Sequence, residues 1–152
     1  MANDIFSSNI LDVGCGLGHL IDYLKNHHFT GIYKGIDIVD QMVVLARKRH
    51  PTFHFETNDI DSILENKHDY VLASGIFALT PPDYVKELIP VLFARAIKGL
   101  AFNCLSSRSQ EKEEGMYYQI PGDIFHFCKK LTHKVKLRED YLSHDFTIYM
   151  QK

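Results

Sequence analysis

An α/β fold is predicted for this 152-residue chain: a doubly wound sheet of five parallel strands, completed by an antiparallel C-terminal hairpin. Three observations predict it. Short apolar runs of strand length alternate with segments of helical spacing. A glycine-rich turn, Asp12-Val13-Gly14-Cys15-Gly16-Leu17-Gly18, follows the first run directly. The last two runs are separated only by Glu139–Asp145. That gap is too short for a right-handed parallel crossover, so these runs pair or neighbour each other antiparallel.

Ile10–Val13 reads as a short buried strand. Leu17, Leu20, Ile21 and Leu24 then recur at helical spacing. Gly31–Ile38 is the second strand. Met42, Leu45 and Ala46 line the next helix, which Pro51 stops. Phe53–Thr57 and Tyr70–Ser74 are the third and fourth strands. Val85, Leu88, Ile89, Leu92, Phe93 and Ala96 form a helical stripe that Pro90 should kink or split. The preceding Thr80-Pro81-Pro82-Asp83-Tyr84 suits a helix start, with proline set for the first turn. Leu100–Leu105 is the fifth strand. A helix marked by Ile124, Phe127, Cys128 and Leu131 leads to the final pair, Lys134–Arg138 and Phe146–Met150.

The length suits one domain, residues 1–152, able to bury roughly 68–70% of its unfolded surface. The net charge of −2, with no basic block, does not suggest binding driven by phosphate neutralisation, so nucleic acid is not the expected partner. The opening MANDIFSSN is too polar for a signal peptide, and no apolar run approaches the ~20 residues of a membrane span. Cys15, Cys104 and Cys128 show neither metal spacing nor a disulfide framework, which points to a reducing cytoplasm. His27 and His28 are adjacent and no H-E-x-x-H occurs, so no metal site is expected.

In such sheets ligands bind beyond the carboxyl ends of the strands, beside the first strand, where the glycine turn falls. Asp37 ends the second strand and can accept both hydroxyls of a ribose; a plain strand-end acid is the alternative. After the third strand, Asp59 can accept from an adenine amino group and Ile60 can pack on the ring, against the alternative of an ordinary loop. A dinucleotide turn requires G-x-G-x-x-G. Here the third position falls on His19 or Ile21, depending on the starting glycine. The pattern present, D-x-G-x-G-x-G, suits a ligand with an ammonium group and a ribose but no pyrophosphate.

With these residues the sequence resembles the class I S-adenosylmethionine-dependent methyltransferases. DVGCGLG matches their first motif, GIDI the ribose acid and NDI the adenine-contacting element. DYVLASGIF resembles their fourth-strand motif and DFTIYMQK their closing strand. The resemblance implies a Rossmann-like sheet of seven strands in the order 3-2-1-4-5-7-6. It also implies S-adenosyl-L-methionine as cofactor and S-adenosyl-L-homocysteine as product. Carried over, Gly14, Cys15, Gly16 and Gly18 lie under the methionine and ribose portion, with Asp12 near the ammonium. Asp37 holds the ribose diol. Ile38 and Met42 flank the adenine, with Asp59 and Ile60 at its edge. Ser74, Gly75, Ile76 and Phe77 border the sulfonium end and the acceptor site. No residue stands out as a general base, and the expected acceptor is a small molecule. Family members usually carry helices ahead of the first motif; with about nine residues there, the alternatives are a missing N-terminal cover, an open pocket, or a second copy of the chain that closes it. The alternative function is a cofactor-binding but inactive module acting through a partner.

Overall fold

A computed structural model describes residues 4–59 and 67–152. Along the chain the elements are β1 (Asn9–Val13), α1 (His19–Asn26), β2 (Ile32–Asp37), α2 (Asp40–Arg49), β3 (His54–Thr57) and β4 (His68–Ala73). There follow α3 (Pro82–Arg95), β5 (Ala96–Ser106), β6 (Tyr118–Gln119), α4 (Pro121–Leu131), β7 (Val135–Arg138) and β8 (Asp145–Gln151). They build one sheet in the order β3-β2-β1-β4-β5-β8-β7, with β6 added beside β5. The pairings through β6 are parallel, and β8 runs antiparallel to both β5 and β7. Leaving aside the two-residue β6, this is the order expected from the sequence. β6 carries too little apolar pattern to be read in advance; it forms because β5 outruns β4 and leaves Leu105 and Ser106 free to pair with Tyr118 and Gln119.

The two faces of the sheet differ. On one, Leu11, Val71, Leu100, Phe102, Phe146 and Ile148 pack against the buried stripes of α3 and α4. On the other, Ile21 and Leu24 of α1 and Val43 and Ala46 of α2 pack on Ile10, Tyr33 and Phe55. That second cluster covers the β1-β2-β3 half. Over β4, β5 and β8 the same face opens into a cavity lined by Leu72, Ala101, Asn103, Thr147 and Tyr149.

Three local expectations are corrected. Pro90 neither splits nor ends α3, which runs unbroken from Pro82 to Arg95. Val85, Leu88, Ile89 and Leu92 are all buried. At roughly 1.5–3 kcal/mol for each such side chain, their burial outweighs the ~3 kcal/mol cost of one internal proline. Ala96, read as the last residue of that stripe, instead opens β5. In α2 the inner face is formed by Val43 and Ala46, while Met42 and Leu45 are 40% and 50% exposed. The helix starts at Asp40, and its inward row of 43, 46 and 50 leaves Met42 and Leu45 outside it.

Candidate functional site

The turn after β1 is built from bare backbone. Gly14 and Cys15 both donate to the Ile36 carbonyl, at 2.8 and 2.9 Å, tying the turn to β2. Gly14 has φ +70°, and a Cβ there would run into Cγ2 of Ile76. Gly18 caps α1 with φ +77°, and its Cβ would lie 2.9 Å from His50 and 3.0 Å from Phe55. Only glycine combines these dihedrals with this proximity. Gly14→Ala therefore pushes the loop and the Ile76 segment apart. The expected result, readable by calorimetry and thermal melting, is a lower melting temperature together with weaker binding of S-adenosylhomocysteine. Unchanged values for both would show that the contact with Ile76 does not shape the loop.

Two acids stand at this turn and are held differently. Asp37 accepts from the Gly16 N–H at 2.8 Å through one oxygen and from the Val39 N–H at 2.9 Å through the other. It thereby fixes the glycine loop from the neighbouring strand. Each oxygen keeps a second lone pair for a further donor. Asp12 is only 4% exposed and accepts from the Tyr33 hydroxyl at 2.7 Å. Burial pushes its carboxyl up to about 6; the Tyr33 hydroxyl opposes the rise and the charge of Asp37 adds to it. A carboxylate in this position is strongly favoured by a nearby cation. Cys15, between the two acids, has its thiol pushed up to about 12 by burial and by the charges of Asp12 and Asp37. It is protonated at neutral pH and is no nucleophile.

Asp12, Gly14, Cys15, Gly16 and Ser74 all line one cavity of about 1120 Å³, with α1 on one side and β4, β5 and β8 on the other. Its volume accommodates a nucleoside amino acid with a small second molecule. The turn after β4 is held in place by Asn103. Its carbonyl oxygen accepts from the Gly75 N–H at 2.8 Å, and its amide donates to Asp145 at 2.7 Å. Ile76 follows, against Gly14.

The structure thus brings together the predicted residues of the methionine and sulfonium end. Asp37 joins them through Gly16. Gly18 lies at the start of α1, beneath the loop. Ile38, just after β2, and Met42 of α2 are outside the cavity lining; Ile38 is 72% exposed. Asp59 follows β3 beside Asn58, whose N–H donates to the Asp37 carbonyl at 3.0 Å. Ile60 lies outside the described residues. Sequence reasoning missed Tyr33, Asn103, Thr147 and Tyr149. Asn103 carried a signal, an amide inside the apolar run Ala101-Phe102-Asn103-Cys104-Leu105. Among the described residues, no helix is long and apolar enough to cross a membrane.

A sheet of this order, with a glycine turn after its first strand and an acid ending its second, defines a class of protein, and comparison with known proteins places the chain in it. The profile of the family described as "Methyltransferase domain" matches residues 10–95. The chain belongs to this family, the class I S-adenosyl-L-methionine-dependent methyltransferases. It is 35% identical to a protein of Mycobacterium tuberculosis named "Putative methyltransferase Rv1506c", over 99% of this chain and 96% of that one. It is 30% identical to trans-aconitate 2-methyltransferase of Variovorax paradoxus, over 61% of this chain and only 36% of that enzyme. Among solved structures, the fold matches magnesium protoporphyrin IX methyltransferase of Synechocystis with bound S-adenosylmethionine. There the TM-score is 0.77 and the identity 18%, over 96% of this chain and 70% of that one.

Proposed function

We propose that this chain, as a single domain, transfers the methyl group of S-adenosyl-L-methionine to a small-molecule acceptor. The observation that carries the reading is the pair of acids on adjacent strands around one bare turn. Asp12 faces the cavity, and Asp37 is clamped to the loop that forms its floor. This donor set fits the cofactor: a buried carboxylate for the ammonium, an accessible one for the ribose hydroxyls, and backbone without side chains between them. Ile38 and Met42 supply exposed apolar surface for the adenine, with Asp59 and Ile60 at its edge. Ser74, Gly75 and Ile76 border the end where the acceptor enters.

When bound, the cofactor supplies an electrophilic methyl group on a sulfonium. The chain's own residues bind and align. Asp12 anchors one end, Asp37 the other, and Asn103 holds the turn at Gly75 that borders the end where the acceptor enters. Alignment and proximity supply the bulk of the acceleration. The three free, buried cysteines accord with a cytoplasmic setting, and the net charge of −2 favours a small molecule over nucleic acid as acceptor.

Thermal unfolding with S-adenosylhomocysteine and, separately, with a nicotinamide dinucleotide tests the reading. At a hundredfold excess over the dissociation constant, a specific ligand adds about 2.7 kcal/mol, a rise of roughly 5–10 °C for a domain of this size. The rise is expected with the first ligand only; the reverse result would make this an oxidoreductase-type site. Turnover on a panel of small acceptors, read by mass spectrometry of methylated products, separates an active enzyme from an inactive module.

A further inference from the structure

The acceptor end of the cavity is walled by strands whose register is known residue by residue. Asn103, Thr147 and Arg138 are direct neighbours across β5, β8 and β7, and Ala101, Tyr149 and Lys136 form the adjacent row. Directly opposed residues share a face of the sheet. Thr147 and Tyr149 line the cavity, so Arg138 and Lys136 stand on the cavity's side of the sheet. The alternate residues of β8, Phe146, Ile148 and Met150, are fully buried on the other side. Towards β7 this half-face is polar, with Lys136, Arg138, Thr147 and Tyr149, whereas over β4 and β5 it carries Leu72, Ala73 and Ala101 beside Asn103.

A second cavity of about 560 Å³ adjoins the first and shares Tyr149 with it. Its lining carries three cationic side chains, Lys134, Lys136 and Arg138, against one carboxylate, Asp140. Lys134 donates to a main-chain oxygen of Lys152, the last residue, at 2.7 Å, and Arg138 donates to Asp140 at 2.8 Å, so both of these cations are paired. The Lys136 side chain makes no hydrogen bond or ion pair with any of the described residues, although its charge acts on the nearby Asp140 carboxyl. The cavity thus holds an excess of positive charge, and it lies along the strands from the site of methyl transfer.

Building on the methyl-transfer reading above, we propose that the acceptor is an anionic small molecule. Its carboxylate or phosphate is held by Lys136 with Arg138 at the β7 edge, while the atom to be methylated lies over Ser74 and Asn103. Two strand steps separate β5 from β7, which sets roughly 10 Å between the two ends of the acceptor. Arg138 offers a planar fork and Lys136 a mobile point charge, a combination suited to an oxyanion.

The test uses protein saturated with S-adenosylhomocysteine and labelled with nitrogen-15, titrated separately with citrate and with inorganic phosphate. Citrate is expected to shift the amide resonances of Lys136, Thr147 and Tyr149. In Lys136→Gln its binding weakens about tenfold, the lower end for a charged hydrogen bond at an exposed site, with affinity for S-adenosylhomocysteine unchanged. Shifts with phosphate alone, lost in the same variant, support the anion site and assign it to phosphorylated acceptors. No shift with either anion, or shifts that persist in Lys136→Gln, overturns the proposal. Failure of the wild-type protein to bind S-adenosylhomocysteine at all overturns the methyl-transfer reading instead, so the two failures are distinguishable.

Discussion

Asp12→Asn raises the melting temperature of the ligand-free protein and weakens its binding of S-adenosylhomocysteine by on the order of a hundredfold or more. The two effects have opposite signs because they have one cause. The Asp12 carboxyl titrates at about 6 in the folded chain against 3.8 in the open chain. The folded state therefore binds the extra proton between those values. Above pH 6 the buried charge opposes folding; that opposition fades as the pH falls from about 6 to about 4. Asparagine removes the charge, and its oxygen still accepts from the Tyr33 hydroxyl. An ammonium group, in contrast, needs the carboxylate. In the wild-type protein the affinity is expected to be flat at neutral pH and to fall by up to tenfold per unit below about pH 6, with one proton released on binding. In Asp12→Asn that pH dependence vanishes. 5′-Methylthioadenosine, which lacks the amino-acid portion, should bind both proteins equally. Equal loss for both ligands, or an affinity for S-adenosylhomocysteine that ignores pH around 6, would remove Asp12 from contact with the ammonium.

How much of this was legible beforehand depends on which residues carry the pattern. The order of strands could be read because each long strand is an apolar run and the crossovers after β1, β2 and β4 carry helical spacing. Gly14, Gly16 and Gly18 announced the turn, since three glycines in five positions have few uses besides positive dihedrals and a bare surface. Asp37 announced itself by standing where an apolar strand ends. Other features depend on partners distant in sequence, which a local pattern does not encode. Tyr33 reads as an ordinary strand residue until β2 lies beside β1 and brings its hydroxyl to Asp12. Asn103 becomes the anchor of Gly75 only through the parallel pairing of β4 with β5. The cationic edge at Lys136 and Arg138 reads as the solvent side of a hairpin. It acquires meaning from the register that sets these residues beside Tyr149 and Thr147. Pro90 shows the converse error, where a strong local rule yields to a buried stripe.

Asp37→Ala is expected to weaken both S-adenosylhomocysteine and 5′-methylthioadenosine, each by roughly 10- to 150-fold, the range set by losing one hydrogen bond to a charged group at 1.5–3 kcal/mol. The structure adds a second consequence. Asp37 also accepts from the Gly16 and Val39 N–H groups, so its removal frees the loop as well as the sugar contact. Asp37→Asn separates the two contributions. One oxygen remains to accept from a loop N–H, while the new amide faces the other N–H as a second donor and leaves it unpaired. If the acid acts mainly on the ribose, a ligand with 2′-deoxyribose should bind the wild-type protein more weakly and lose little further in Asp37→Ala. If it acts mainly on the loop, the ribo and deoxy ligands should fall in parallel in Asp37→Ala. Calorimetry on the two ligands with wild type and variant forms a double cycle whose coupling energy measures the sugar contact alone. A coupling of zero would leave Asp37 a clamp on the glycine turn and pass the ribose to the backbone around it.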